Sequence, residues 1–344
     1  MVARDNGYGV TGGVPDATMY GISPVRRVSP TRTTWSPAEA MVYASRFLDP
    51  GDALLIEQQT VGPNGGTRYV PIEWMQSAFE ATVLLTQLGV TVVATGGNGG
   101  ENLDGPEFLG RFDRTVRDSG AIIVGAGSST TRERLGFSVH GSRVDLQGWG
   151  QNITTTGSNG NLQGGTDPAN LDVRYTRSFG GTSGAGPIVT SAVVAVQSYL
   201  KATGQGVWSA ARIADLLKGT GTPQGGDASQ HIGPLPDLRA ALRRIEVDAP
   251  SSAVALTQVP PRTGDRYVNP TVTLSADDGW GSGVDRIEYR HNGGPWRTYD
   301  GPFRVLRPGQ HQISHRAVDR NGTVEPAKTV TFRNLGPPRS SSGD

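Results

Sequence analysis

The chain has 344 residues, with 32 lysines and arginines against 31 aspartates and glutamates, a formal net charge of +1 at pH 7. Near-neutral charge without a long one-sign run argues against nucleic acid or an anionic membrane as partner. No apolar run reaches the roughly 18 to 20 residues of a membrane-spanning helix, and the start MVARDNGYGV lacks the basic and apolar regions of an export signal. The absence of cysteine excludes disulfides, thiol nucleophiles and cysteine-ligated zinc.

From residue 1 to 246 short apolar runs alternate with amphipathic segments, the pattern of an α/β domain with a doubly wound, mostly parallel sheet. Strands are predicted at 18–22, 53–57, 91–94, 121–124 and 143–146. Ser36-Pro37-Ala38-Glu39 places a serine at a cap, a proline in the first turn and a glutamate three residues after the cap, so a helix starts there. Further helices are predicted at 71–88, 188–201, 209–218 and 236–245, with Gly89 and Gly219 as stops.

Residues 247–266 are rich in proline, serine and threonine and read as a linker. From 267 to 335 the pattern becomes all-β: Thr271 to Leu274 alternates, Ile287 and Tyr289 share a face, and 312–318 alternates again. Asn292-Gly293 between two such runs is a hairpin turn signal. Residues 336–344, rich in serine and proline, read as a disordered tail.

The stretch SFGGTSGAGPIV, residues 178–189, sets Ser183 among small residues just before a long apolar run. Gly181, Gly184, Ala185 and Gly186 leave room for a substrate backbone beside the hydroxyl, and a helix N-terminus there would aim N–H groups at a developing oxyanion. The same serine could equally be a helix cap. In VVATGGNGG, residues 92–100, an apolar strand runs into a glycine loop whose Asn98 amide could donate to an oxyanion. A plain strand-to-helix turn explains that loop as well.

Taken together, these blocks resemble the subtilisin-like serine proteases, or subtilases. Gly181-Thr182-Ser183 with Ala185 and Pro187 matches that family's Gly-Thr-Ser-x-Ala-x-Pro signature. Residues 5–15 look like the segment after the catalytic-histidine helix, Gly97-Asn98-Gly99 like the oxyanion loop, and the block from Phe137 to Leu146 like the Phe-Ser-x-x-Gly block that follows it. The resemblance implies a serine endopeptidase acting on protein or peptide substrates outside the cell, with Ser183 as nucleophile and Asn98 as oxyanion donor. It also implies that Glu57, Gln58 and Gln59 form the edge that pairs with substrate backbone. Ala94, Thr95 and Gly96 would wall the pocket for the residue before the scissile bond.

The family's first two triad members have no counterpart here: no Asp-Ser-Gly or Asp-Thr-Gly follows an early apolar strand, and His-Gly-Thr is absent. The resemblance therefore implies a catalytic domain without its first strand and histidine helix, inactive or nearly so by itself. A degenerate, non-catalytic peptide-binding or adhesion protein is the other reading. An α/β-hydrolase arrangement, with a later histidine such as His231 and an acid from Asp145, Asp172 or Asp227, leaves the Asn98 and Phe137 blocks unexplained. His140 reads as a structural or surface residue.

The segment 267–335 resembles the Ig-like β modules appended to extracellular bacterial enzymes, through DGWGSGVDRIEYR and RAVDRNG. Trp280, Trp296 and Tyr299 could hold a polymer or surface, or fill the module's core. Asp277, Asp278 and Asp285 lack the spacing of a calcium loop and suit turns, so no metal is expected, and no cofactor.

Overall fold

The computed structural model describes every residue except 158, 248, 259–265, 280 and 337–344. The chain divides into two compact units, Met1–Ala241 and Leu242–Asp344.

In the first unit an exposed hairpin, β1 (Val25–Ser29) and β2 (Arg32–Trp35), leads into helix α1 (Pro37–Ala44). Strand β3 (Ala53–Ile56) follows, then the short pair β4 (Gln59–Val61) and β5 (Tyr69–Pro71), helix α2 (Gln76–Gln87) and strand β6 (Thr91–Thr95). After β7 (Ile122–Gly127) and β8 (Leu146–Trp149), the pair β9 (Ile153–Thr156) and β10 (Tyr175–Phe179) precedes helices α3 (Thr182–Ala202) and α4 (Ala210–Thr220), and helix α5 (Leu238–Val247) carries the chain across the division between the units. The central sheet is parallel throughout, in the order β3-β6-β7-β8.

Two-residue periodicity sends alternate side chains of each strand to opposite faces. Val92, Ala94 and Ile123 join Met41 of α1 and Ala78, Ala81 and Leu85 of α2 in one core. On the other face α3 packs across all four strands. Small residues make that approach close: a Cβ on Gly148 would lie 2.3 Å from the Ala185 carbonyl oxygen, and one on Gly186 would lie 3.1 Å from both Leu55 and Thr95. Helices on both faces of a parallel sheet make this a doubly wound α/β fold.

The second unit adds β11 (Ser251–Thr257), β12 (Arg266–Tyr267), β13 (Thr271–Asp277), β14 (Val284–His291), β15 (Arg297–Thr298), β16 (Phe303–Arg304), β17 (Gly309–Asp319) and β18 (Lys328–Asn334). They form sheets β11-β13-β16 and β12-β18-β17-β14-β15. Val272 and Leu274 of one sheet and Ile313 and Phe332 of the other share a core, so the module is a β-sandwich. Ile287 and Tyr289 pack on that core from one face of β14. Asn292 and Gly293 take φ of +52° and +75°, and Gly294 N–H donates to the His291 carbonyl, a tight hairpin turn with both central residues left-handed.

Several expectations need correction. Residues 18–22 are not a strand, because among the described residues no partner strand pairs with them; Met19 and Tyr20 are exposed, and the hairpin comes later, at 25–35. Helix α4 runs through Gly219 to Thr220 rather than stopping there. The strand expected at 143–146 starts only at Leu146, because Arg143 and Asp145 are held in a buried ion network. The stretch 247–266 is not simply a linker: its residues 251–257 are β11, paired with β13 along seven positions. The compact units divide inside α5, at 241/242 rather than 246. Of the tail, 337–344 lie outside the described residues.

Candidate active site

Strand β6 ends at Thr95, and the chain turns through Gly96-Gly97-Asn98 at the C-terminal edge of the parallel sheet, where ligands of such folds bind. Gly97 has a φ of +104°, and a Cβ on Gly99 would lie 2.3 Å from Tyr69 backbone atoms. Only glycine lets this loop lie so close against β5. The Phe137 block braces the loop from the other side. Gly100 N–H donates to the Phe137 carbonyl, Val139 N–H to the Gly97 carbonyl and His140 N–H to the Glu101 carbonyl. Buried Ser138 spends its hydroxyl on Ala126 N–H and the Val139 carbonyl, so that serine is structural.

Helix α3 starts behind Gly181, whose φ of +87° suits glycine. Pro187 lies inside α3, where its missing N–H leaves the Ser183 carbonyl without the usual helical donor. Ser183 is half-buried, the second residue of the helix, at its positive end.

The two loops meet through Thr182. Its backbone N–H and its hydroxyl both donate to Asn98 Oδ1, at 2.9 and 3.0 Å, across 84 residues of sequence. With Oδ1 occupied by two donors, it is the Nδ2 end of the amide that keeps free donor capacity. A Cβ on Gly181 would stand 3.4 Å from that Nδ2. Thr182 is therefore the residue that orients Asn98, a role its place in the Gly-Thr-Ser run did not reveal.

Of the other predicted positions, Gln59 reaches this site, because its Oε1 accepts from Asn98 N–H at 2.8 Å. Gln58 and Glu57 line a groove beside β3, where Gln58 accepts from Trp35 Nε1. Burial against the groove pushes the Glu57 carboxyl up to about 7, with the chain's amino terminus pulling it back. Water on its exposed side works against that shift. Ala94, Thr95 and Gly96 are buried, and Thr95 packs against Gly186. A second latch went unread: Glu101, 5% exposed, binds Arg68 Nη1 at 2.8 Å and Asn64 Nδ2 at 2.7 Å, tying the β4–β5 loop to the asparagine loop.

None of the alternative acids and bases is placed to act on Ser183. Asp145 is buried and bound by Arg114, Arg143 and Ile123 N–H. Asp227 caps its own turn through Ser229. Asp172 lies in a short 3-10 turn at Pro168–Val173. His231 is exposed, and His140, whose pKa is lowered by burial and then by Arg134, is bonded through its backbone N–H to the Glu101 carbonyl after the asparagine loop. Among the described residues, none of these five side chains hydrogen-bonds Ser183.

In the β module Trp296 lies beneath the Arg290 and Arg316 guanidinium groups, and Tyr299 packs edge-on against Tyr289 at the core. These two do not form an open aromatic platform; Trp280 lies outside the described residues. Asp277 and Asp278 accept from turn N–H groups and Asp285 pairs with Arg286.

Among solved structures the chain is similar to fervidolysin from Fervidobacterium pennivorans, a keratinolytic enzyme related to subtilisin, at 17% identity and TM-score 0.47 over 97% of this chain and 50% of that one. It is similar to the patellamide maturation protease PatA at 19% identity and TM-score 0.41, over 60% of this chain and 66% of that one. Over 26% of this chain it is similar to the PKD1 domain of Vibrio anguillarum Epp, at 18% identity, TM-score 0.21 and 96% of that domain. The chain thus spans 50% to 66% of the length of these two proteases. No curated protein matches the sequence. The model of the subtilase family matches residues 1–233. With that match over most of its length, and the serine and asparagine loops joined at one sheet edge, the chain belongs to the subtilase family.

Proposed function

We propose that this site is the nucleophile half of a peptide-hydrolysing centre. Ser183 Oγ attacks the carbonyl of a peptide bond, and the Asn98 amide with the Ser183 backbone N–H holds the oxyanion that forms. The acyl group then rests on Ser183 until water removes it. The observation that carries this reading is the paired donation of Thr182 to Asn98 Oδ1, which leaves Nδ2 as the end with free donor capacity. Gln59 holds the backbone of the same asparagine, and the segment Glu57-Gln58-Gln59 is the proposed track for substrate backbone. Ala94, Thr95 and Gly96 support the site from within the sheet. An extracellular location belongs to the same proposal.

A serine hydroxyl is a weak nucleophile without a base, and no histidine or carboxylate bonds Ser183 among the described residues. The chain by itself therefore holds peptides better than it cuts them. That observation also favours the second reading, a peptide-binding protein on a protease fold.

Labelling with a fluorophosphonate, followed by intact mass, tests the proposal, with imidazole added as an external base. Imidazole should speed modification of Ser183, Ser183→Ala should abolish it, and Asn98→Ala should slow it by about 10²–10³-fold. Labelling that occurs at another serine, or that ignores Asn98→Ala, overturns the assignment.

A further inference from the structure

In the β module, strand β14 alternates between the sandwich core and the outside. Ile287 and Tyr289 pack inward, so Arg286, Glu288 and Arg290 face outward. Register carries that face across the sheet, since residues directly opposite one another share a face. On β17, Arg316 stands opposite Glu288 and Ser314 opposite Arg290. On β18, Arg333, Thr331 and Thr329 stand opposite Gln310, Gln312 and Ser314, and Arg266 of β12 stands opposite Arg333. One sheet face therefore gathers five arginines, at 266, 286, 290, 316 and 333, around the carboxylate of Glu288.

The charges on this face are unequally matched. Glu288 accepts from Arg286 Nε at 2.8 Å on one oxygen and from Arg316 Nη2 at 2.7 Å on the other, and Asp285 holds Arg286 a second time. Among the described residues, no carboxylate meets Arg266, Arg290 or Arg333. Arg290 Nε is buried without a hydrogen-bond partner. The Arg290 and Arg316 guanidinium carbons lie 4.9 and 4.2 Å from the centre of the one Trp296 ring, which holds two like charges near each other. At the other edge Arg266 and Arg333, both exposed, are cross-strand partners, an arrangement in which like charges repel. An anion on this face relieves both pairs.

The residues between the two pairs narrow the class of anion. Gln310, Gln312, Thr329 and Thr331 are exposed there, and their amides and hydroxyls suit the hydroxyl groups of a sugar chain. None of the exposed large apolar side chains lies in the five strands of this sheet, so the face lacks the apolar anchors of a protein interface. Trp296 already carries two guanidinium groups, so it offers no open ring to an unstacked base.

We propose that this face binds a carboxylated polysaccharide. Its carboxylates pair with the arginines at the two ends, where each guanidinium fork takes a carboxylate through two parallel bonds, and its hydroxyls bond the glutamines and threonines between. Contact with the polymer falls to guanidinium groups rather than to an aromatic platform. The inference stands on the β module alone and is independent of the Ser183 reading.

Calorimetric titration of the full chain with polygalacturonate, a chain of uronic acid units, tests the proposal. Saturable binding is expected, weakening as salt rises from about 0.05 to 0.5 M, and uncharged dextran should not bind. Arg266→Gln combined with Arg333→Gln should weaken binding at least about tenfold, and Arg290→Gln about as much. Arg304→Gln, the same loss of charge at an exposed position of the other sheet, should change it less than about twofold. Should Arg290→Gln fail to fold, the double variant at the two exposed positions still decides. Absence of saturable binding overturns the proposal, as does a loss in Arg304→Gln equal to that in the double variant. Dextran binding as well as polygalacturonate would remove the role of the carboxylates, and tighter binding of a DNA duplex would remove that of the sugar; either overturns it too.

Discussion

Replacing Arg143 with methionine should unfold the protease unit early, because this guanidinium closes a buried ion network beneath the sheet. Arg143 is 1% exposed; its Nε and Nη2 reach the two oxygens of Glu73 at 2.7 and 2.9 Å, and Nη1 reaches Asp145 Oδ2 at 2.9 Å. Burial works against its charge, and Glu73 and Asp145 more than offset it, holding the guanidinium above its ordinary value. Removing one partner of a buried pair typically costs 3–5 kcal/mol, since the other charge stays desolvated. Asp145 keeps Arg114 and Ile123 N–H, and Glu73 keeps Ser119 Oγ, so the lower part of that range applies, about 3 kcal/mol. For a unit of this size that corresponds to a fall in Tm of roughly 6–12 °C. Calorimetry of the full chain should show the protease unit's transition moving down while the β module's stays in place. Adding Glu73→Gln to the variant should recover part of the loss. A fall of less than about 1 kcal/mol, or no recovery in the double variant, would refute the argument that these carboxylates depend on Arg143.

Thr182→Val keeps the shape but removes the hydroxyl donor to Asn98, so it should cost about 1 kcal/mol of stability and slow imidazole-assisted labelling of Ser183; an unchanged labelling rate would contradict its orienting role. In the β module, His291 is held below its ordinary value by burial and then His311, and His315 by burial, which with the Lys328 charge outweighs the opposing pull of Glu325. Glu325 is also lowered: burial opposes this, but donors from Lys328, Ser252 and Ala317 outweigh it. Above about 6.5 these histidines are neutral in both states; below it the unfolded chain takes up protons first. The module should thus lose stability as pH falls below that point, and further in the carboxylate range; a denaturation midpoint equal at pH 7.5 and 5.5 would be inconsistent with this. Hydrogen exchange should find the amides of Ser251–Thr257 that bond β13 protected together with those of β13, and free exchange there would restore the linker reading.

The blocks of the protease unit were legible because glycine and small residues recur where backbone must pass closely, as at Gly97, Gly181 and Gly186. Strands β6 and β7 were legible as apolar runs buried on both faces. The Thr182–Asn98 pairing was not, since it joins residues 84 apart and depends on how α3 lies across the sheet. Arg143 looked like a strand residue, and its burial is made tolerable by Asp145 together with Glu73, which arrives from 70 positions away. Strand β11 does carry a period of two, with Ser252, Val254 and Leu256 turned inward, but its small residues are weak strand formers beside flanking prolines. Residues 18–22 carry Met19, Tyr20 and Ile22, an apolar cluster that reads as a short strand. With no neighbouring strand to accept its hydrogen bonds, that pattern stays coil.

The central claim is that Ser183 and Asn98 act on one carbonyl oxygen, and a structure of the phosphonylated protein tests it most directly. The account predicts the phosphorus bonded to Ser183 Oγ, with a phosphoryl oxygen about 2.7–3.1 Å from both Asn98 Nδ2 and the Ser183 backbone N–H. A phosphoryl oxygen turned to solvent, with the Asn98 amide still held by Thr182 but pointing elsewhere, would contradict it.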